Sequence, residues 1–74
     1  MMNDLPLKIY HHQLKNKQLL GTVISIITNL LITRNYTVGQ LHRYTVEINN
    51  KIEVLIFRRT KHWTIYIKEV EDND

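Results

Sequence analysis

Between residues 43 and 70 the chain alternates so regularly that two sheet faces can be assigned by parity, and no other feature of its 74 residues restricts the fold so tightly. Tyr44, Val46, Ile48, Ile52, Val54, Ile56, Trp63, Ile65 and Ile67 form one apolar set. Successive strand side chains point to opposite faces, so this set predicts strands over about 41–48, 52–58 and 63–70 with one shared buried face. The opposite set is mixed: Arg43, Leu55, Phe57, Arg59, His62, Tyr66 and Lys68. Apolar and aromatic groups among cations, on a face that should be wet, mark a contact surface rather than an inert exterior.

Parity also constrains the turns. Cross-strand neighbours share a face, so the first turn needs an odd number of residues. Pairing Ile48 with Ile52 and Val46 with Val54 leaves Asn49, Asn50 and Lys51 in it, with Asn50 or Lys51 left-handed. The second turn, Arg59 to His62, needs an even number if Ile56 and Trp63 share a face. The first turn brings Glu47 and Glu53 close on the mixed face, where pairing with lysine or arginine is the ordinary arrangement.

Upstream, Leu19, Leu20, Val23, Ile24, Ile27, Leu30 and Leu31 follow helical spacing, although the β-branched run from Val23 to Ile27 favours a strand by propensity. Periodicity and length predict a helix over about 13–34, with Asn35 as a left-handed terminator and Gly21 permitting close packing on the sheet. Leu5, Leu7 and Ile9 alternate with Pro6, Lys8 and Tyr10, which reads as a short strand. Pro6 cannot donate to a ladder, so that strand belongs at an edge. The expected fold is α+β: a two-layer (β)αβββ domain over residues 1–74, one amphipathic helix on a three- to four-stranded, mainly antiparallel sheet.

Composition bears mainly on function. The net charge is +3 and is unevenly spread, because a basic body is followed by Glu69, Glu71, Asp72 and Asp74, expected to form a solvated acidic tail over about 70–74. There is no cysteine, which removes disulfides and thiolate–zinc sites. His11, His12, His42 and His62 are the only imidazoles, and the adjacent pair points in different directions, so no metal site is expected. The apolar stretch from Leu19 to Ile32 is interrupted by Thr22, Ser25, Thr28 and Asn29 and is shorter than the ~20 residues that span a bilayer. The N-terminal residues lack a basic segment followed by an apolar run, so no signal peptide is read there. A cytoplasmic protein of a bacterial or host-cell interior is expected, with no cofactor and no small-molecule substrate. Alanine is absent while Ile, Asn, Lys and Thr abound, which suggests an AT-rich genome of the bacterial, viral or mobile-element kind.

The candidate binding residues are Leu55, Phe57 and Tyr66, ringed by Arg43, Arg59, His62 and Lys68, while Arg58, Arg59 and Lys61 crowd the second turn, which reads first as a solvated basic turn and alternatively as a phosphate clamp. Trp63 is in phase with Ile65 and Ile67 and reads as core. Two uses fit the mixed face. One is protein contact, as a homodimer or as a phage- or mobile-element-type inhibitor or regulator. The alternative is single-stranded RNA binding, with rings stacking on bases and cations reaching phosphates.

The segment 41–66, with Tyr44-Thr45-Val46-Glu47-Ile48, the run from Ile52 to Phe57 and the basic turn from Arg58 to His62, resembles the C-terminal hairpins of RelE/ParE-type toxins. In ribonuclease members of that family, basic residues and a tyrosine on the sheet act on ribosome-bound messenger RNA. The resemblance implies Arg43, Arg58, Arg59, Lys61 and Tyr66 as the corresponding residues. It covers a third of the chain, and the family's glycine–arginine signature before the first strand is absent. The residues themselves favour a binding module over an enzyme.

Overall fold

The computed structural model describes residues 5–48 and 50–70. Residues 1–4, Asn49 and residues 71–74, which hold most of the expected acidic tail, lie outside the described residues. The elements are β1 (Leu7–Gln13), a single 3₁₀ turn (Lys17–Leu19), α1 (Leu20–Thr33), β2 (Leu41–Glu47), β3 (Lys51–Arg58) and β4 (Trp63–Val70). The strands make one sheet in the order β1-β4-β3-β2. The β2–β3 and β3–β4 pairs are antiparallel, and β1 runs parallel to β4. The chain is therefore the expected α+β domain, with a four-stranded mixed sheet and the proline-led strand at an edge.

Parity places the core. Ile52, Val54, Ile56, Trp63, Ile65 and Ile67 meet Val23, Ile27 and Leu31 of α1, all fully or almost fully buried. At roughly 25 cal/mol per Å² of apolar surface, burying each such side chain contributes about 1.5–3 kcal/mol. Ile9, Leu20, Leu30, Tyr44 and Val46 pack around them, half covered. No helix among the described residues is long and apolar enough to cross a membrane.

Four local expectations are corrected. The strand starts at Leu7 and runs on to Gln13, so α1 begins at Leu20 rather than near residue 13. Leu14, 1% exposed, anchors the corner between them, and Asn16 accepts from the Gln18 amide to open the 3₁₀ turn. The helix ends without a left-handed residue: Arg34 is extended, and among the described residues only Gly39 has positive φ, +91°. Gly39 sits at the third position of a turn closed by the Gln40 amide donating to the Thr37 carbonyl, which demands a residue without Cβ. Gly21 is exposed with nothing near it and plays no part in helix–sheet packing. Finally, the first hairpin pairs Val46 with Ile52, Tyr44 with Val54 and Glu47 with Lys51. The odd count stands, but the pairing closes at Glu47 and Lys51. Ile48 leaves the core for solvent, and neither Asn50 nor Lys51 is left-handed.

Glu69 is expected in the solvated tail and instead ties the fold together. Its Oε1 accepts the amides of Lys15 and Asn16 at 3.1 Å each, and its Oε2 accepts Asn50 Nδ2 at 2.6 Å. One carboxylate thus joins the β1–α1 corner to the β2–β3 turn. The Asn16 amide above all, then the Asn50 amide group, hold its pKa below the ordinary 4.5; burial opposes them, and the Lys15 amide and charge add a smaller downward push. A carboxylate depressed by folding stabilises above its unfolded pKa and loses that contribution as pH falls through the folded value. Thermal midpoints followed by circular dichroism should therefore hold steady down to about pH 4.5 and then fall. Glu69→Gln should lower the midpoint at neutral pH and flatten that acid decline; an acid decline of unchanged size would contradict the role given to Glu69.

Candidate protein-binding face

α1 closes one side of the sheet, and among the described residues nothing covers the other. Registering the four strands puts the open side in rows. One row reads Tyr10, Tyr66, Leu55, Arg43 from β1 to β2, and the next reads Lys8, Thr64, Phe57, Leu41. A third carries Gln13, Lys68, Glu53 and Thr45. The first two rows hold the apolar groups, and Tyr10, Tyr66 and Leu41 are exposed at 43%, 44% and 54%. Leu55 and Phe57 are half-buried between them.

The rings have a defined arrangement. Tyr10 and Tyr66 stack with centroids 4.9 Å apart and planes 16° from parallel. Two rings lying flat side by side on a sheet cannot bring their centroids so close, so both are tilted up and each covers one face of the other. Phe57 has the Arg59 guanidinium over its ring at 4.8 Å. Arg59 Nε also donates to Thr64 Oγ1 at 3.0 Å, which holds this cation against the sheet, and Thr64 is 4% exposed. Tyr10, Tyr66 and Phe57 thus each have one ring face already occupied within the chain.

The nine sequence candidates divide. Leu55, Phe57, Tyr66, Arg43 and Lys68 share the open face, with Arg59 lying across it. Lys61 is exposed in the β3–β4 turn and His62 is half-buried beside it. Burial first, then the charges of Lys8 and Arg59, push the His62 pKa down, which favours the neutral imidazole. Lys68 forms an ion pair with Glu53 at 3.4 Å, a partly exposed contact worth little, and Glu47 lies opposite Lys51, so both carboxylates take the ordinary pairing with cations. Arg58 is on the other side. It pairs with Trp63 on the helix-facing side, its Nη1 donates to the Tyr36 carbonyl at 2.7 Å, and its guanidinium lies 5.6 Å from the Trp63 ring. The clustered turn Arg58–Arg59–Lys61 is therefore split by the sheet, and so is the residue set that the RelE/ParE-type resemblance implies.

Tyr10, Leu41 and Lys8 complete the face and are absent from the sequence candidates. Leu41 has the parity of Arg43, and Tyr10 the opposite parity to Ile9, so the signal for their side was present. Their neighbours were not legible, because sequence does not say that β4 lies between β1 and β3. Among the described residues no three histidine or acidic side chains converge as a metal-binding group. Compared with protein-family models, curated proteins and solved structures, the chain finds no match in any of the three. What it does must therefore follow from its own geometry.

Proposed function

We propose that the protein is a small binding module, acting without catalysis, that docks a partner protein on the open face of its sheet and serves as that partner's inhibitor or regulator. The observation that supports this reading is the contiguous apolar patch of Tyr10, Tyr66, Leu55, Phe57 and Leu41, left uncovered by a chain that closes its other sheet face with a helix. Lys8, Arg43 and Arg59 lie on the patch or at its rim. The complementary surface is an apolar one ringed by acidic side chains, which the cations would steer and orient more than hold. Base stacking fits less well. Platforms for single strands offer free ring faces, and here the tilted tyrosine pair and the Arg59-capped Phe57 have each used one.

Immobilised protein should capture a partner from cells of its source in a nuclease-resistant way. Tyr66→Glu should cost about 2 kcal/mol, roughly a thirtyfold loss of affinity, as at a central aromatic hot spot. Thr22→Glu, on the outer side of α1, should capture normally. Equal capture by Tyr66→Glu and the parent chain would refute the open face as the docking site. Titration with short RNA at low salt should be flat; binding that falls steeply with salt would transfer the face to nucleic acid.

A further inference from the structure

The two edges of the sheet are treated differently by the sequence. β1 is preceded by Pro6, whose carbonyl is taken by the Trp63 amide at 2.9 Å, and its register shifts between Tyr10 and Gln13. Proline and irregular register are devices that stop an edge strand from pairing with another chain. β2, the opposite edge, has neither. It is seven residues long, pairs with β3 in unbroken register, and leaves its outer backbone groups without a strand partner among the described residues. Its helix-side residues His42, Tyr44 and Val46 are only half covered, unlike the buried Ile52, Val54 and Ile56 beside them.

We infer that β2 is the seam of a homodimer, in which two copies pair antiparallel about a two-fold axis through Thr45 and join their sheets into one of eight strands. The charges select this register. A two-fold axis perpendicular to a continuous sheet keeps each face on its own side, so only residues of like parity can lie opposite. Centring on Arg43 or Glu47 sets like charges against each other, and centring on Tyr44 sets Arg43 against Thr45 and Leu41 against Glu47. Centring on Thr45 sets each Arg43 opposite a Glu47, and Thr45 opposite its own copy. Lys51 already lies opposite Glu47 within the chain, so each outer row then reads Lys51, Glu47, Arg43, alternating in sign across the seam. On the helix side the same register brings Tyr44 against Val46, covering both half-exposed groups. Both helices fall on one side and both open faces on the other, so the dimer presents two copies of the docking face as one surface. The inference rests on the β2 edge and not on what the open face binds.

Light scattering on the full chain over a range of concentrations tests it. The parent protein should reach twice its 8.9 kDa mass. Arg43→Glu and Glu47→Arg should each weaken association at least about tenfold, since each places two like-charged pairs in the seam. The double variant Arg43→Glu/Glu47→Arg should restore the dimer, with circular dichroism unchanged throughout. Amide exchange in β2 should slow as protein concentration rises. A parent chain that stays monomeric at millimolar concentration, single reversals without effect, or a double variant that fails to recover would each overturn the proposal. Loss of the dimer in Tyr66→Glu would do so too, by placing the seam on the open face.

Discussion

Trp63→Ala should remove a large part of the stability of this domain, and all of it where the total lies at the low end of the range for its size. Trp63 is fully buried at the start of β4, with the Tyr36 ring edge-on at 5.4 Å and the Arg58 guanidinium 5.6 Å from its ring. Truncating a buried aromatic costs about 3–5 kcal/mol, from lost transfer energy and the cavity left behind. A domain of 74 residues has a total stability of roughly 4–11 kcal/mol. The substitution therefore removes much or all of the margin. It also strips Arg58 of the ring beneath its guanidinium. Urea titration by far-ultraviolet circular dichroism should show a broad, weak transition for Trp63→Ala and a cooperative one at lower urea for Trp63→Phe. A midpoint for Trp63→Ala within about 0.3 M of the parent would rule this out, since slopes in urea are about 1 kcal/mol per M for chains of this size.

Tyr36→Ala is expected to come close behind. The loop between α1 and β2 has no regular structure, yet Tyr36 within it is only 3% exposed. Its ring meets His42 and Trp63 edge-on, its hydroxyl shares a 2.9 Å hydrogen bond with Tyr44, and its carbonyl accepts from Arg58. Burial and the Tyr44 hydroxyl keep the Tyr36 phenol protonated well above the ordinary tyrosine range. Removing the ring should cost about 3–5 kcal/mol, as for other buried aromatics. Tyr36→Phe gives up only the hydroxyl contact and should cost about 1 kcal/mol. Thermal or urea unfolding separates these cases. If the two variants proved equally stable, the ring would not be what holds this loop to the sheet.

The contrast between Trp63 and Tyr36 shows what could be read in advance. Trp63 lies in a strand whose alternation declares its side, so its burial follows from parity alone. Tyr36 lies in an aperiodic stretch, and its burial depends on Arg58 and Trp63 arriving from 22 and 27 residues further on, a tertiary fact without local trace. Arg58 was legible in principle, since it shares the parity of Ile56; its charge and its place beside a basic turn argued otherwise. The slip at the first hairpin has a similar origin. Two registers that differ by two residues keep every side chain on its face, so hydrophobic patterning cannot choose between them. The register observed leaves Ile48 outside the paired residues. The start of α1 was masked because Tyr10 to Gln13 gains its strand conformation from pairing beside β4, not from its own alternation.

The sheet order has a further consequence for how the chain comes into being. β4 is the last of the described elements to be synthesised, yet it lies between β1 and β3. Until it arrives, β1 has no neighbour to pair with, α1 has only half a sheet to cover, and Glu69 is not there to fasten the corner and the turn. The residues between Gln13 and Trp63 separate the two strands, so closing the parallel β1–β4 pair is a non-local step of the kind that slows folding. An emerging chain of this design cannot consolidate from its N-terminus forward. Until β4 is available, β1 and β3 each lack the strand that lies between them in the finished sheet.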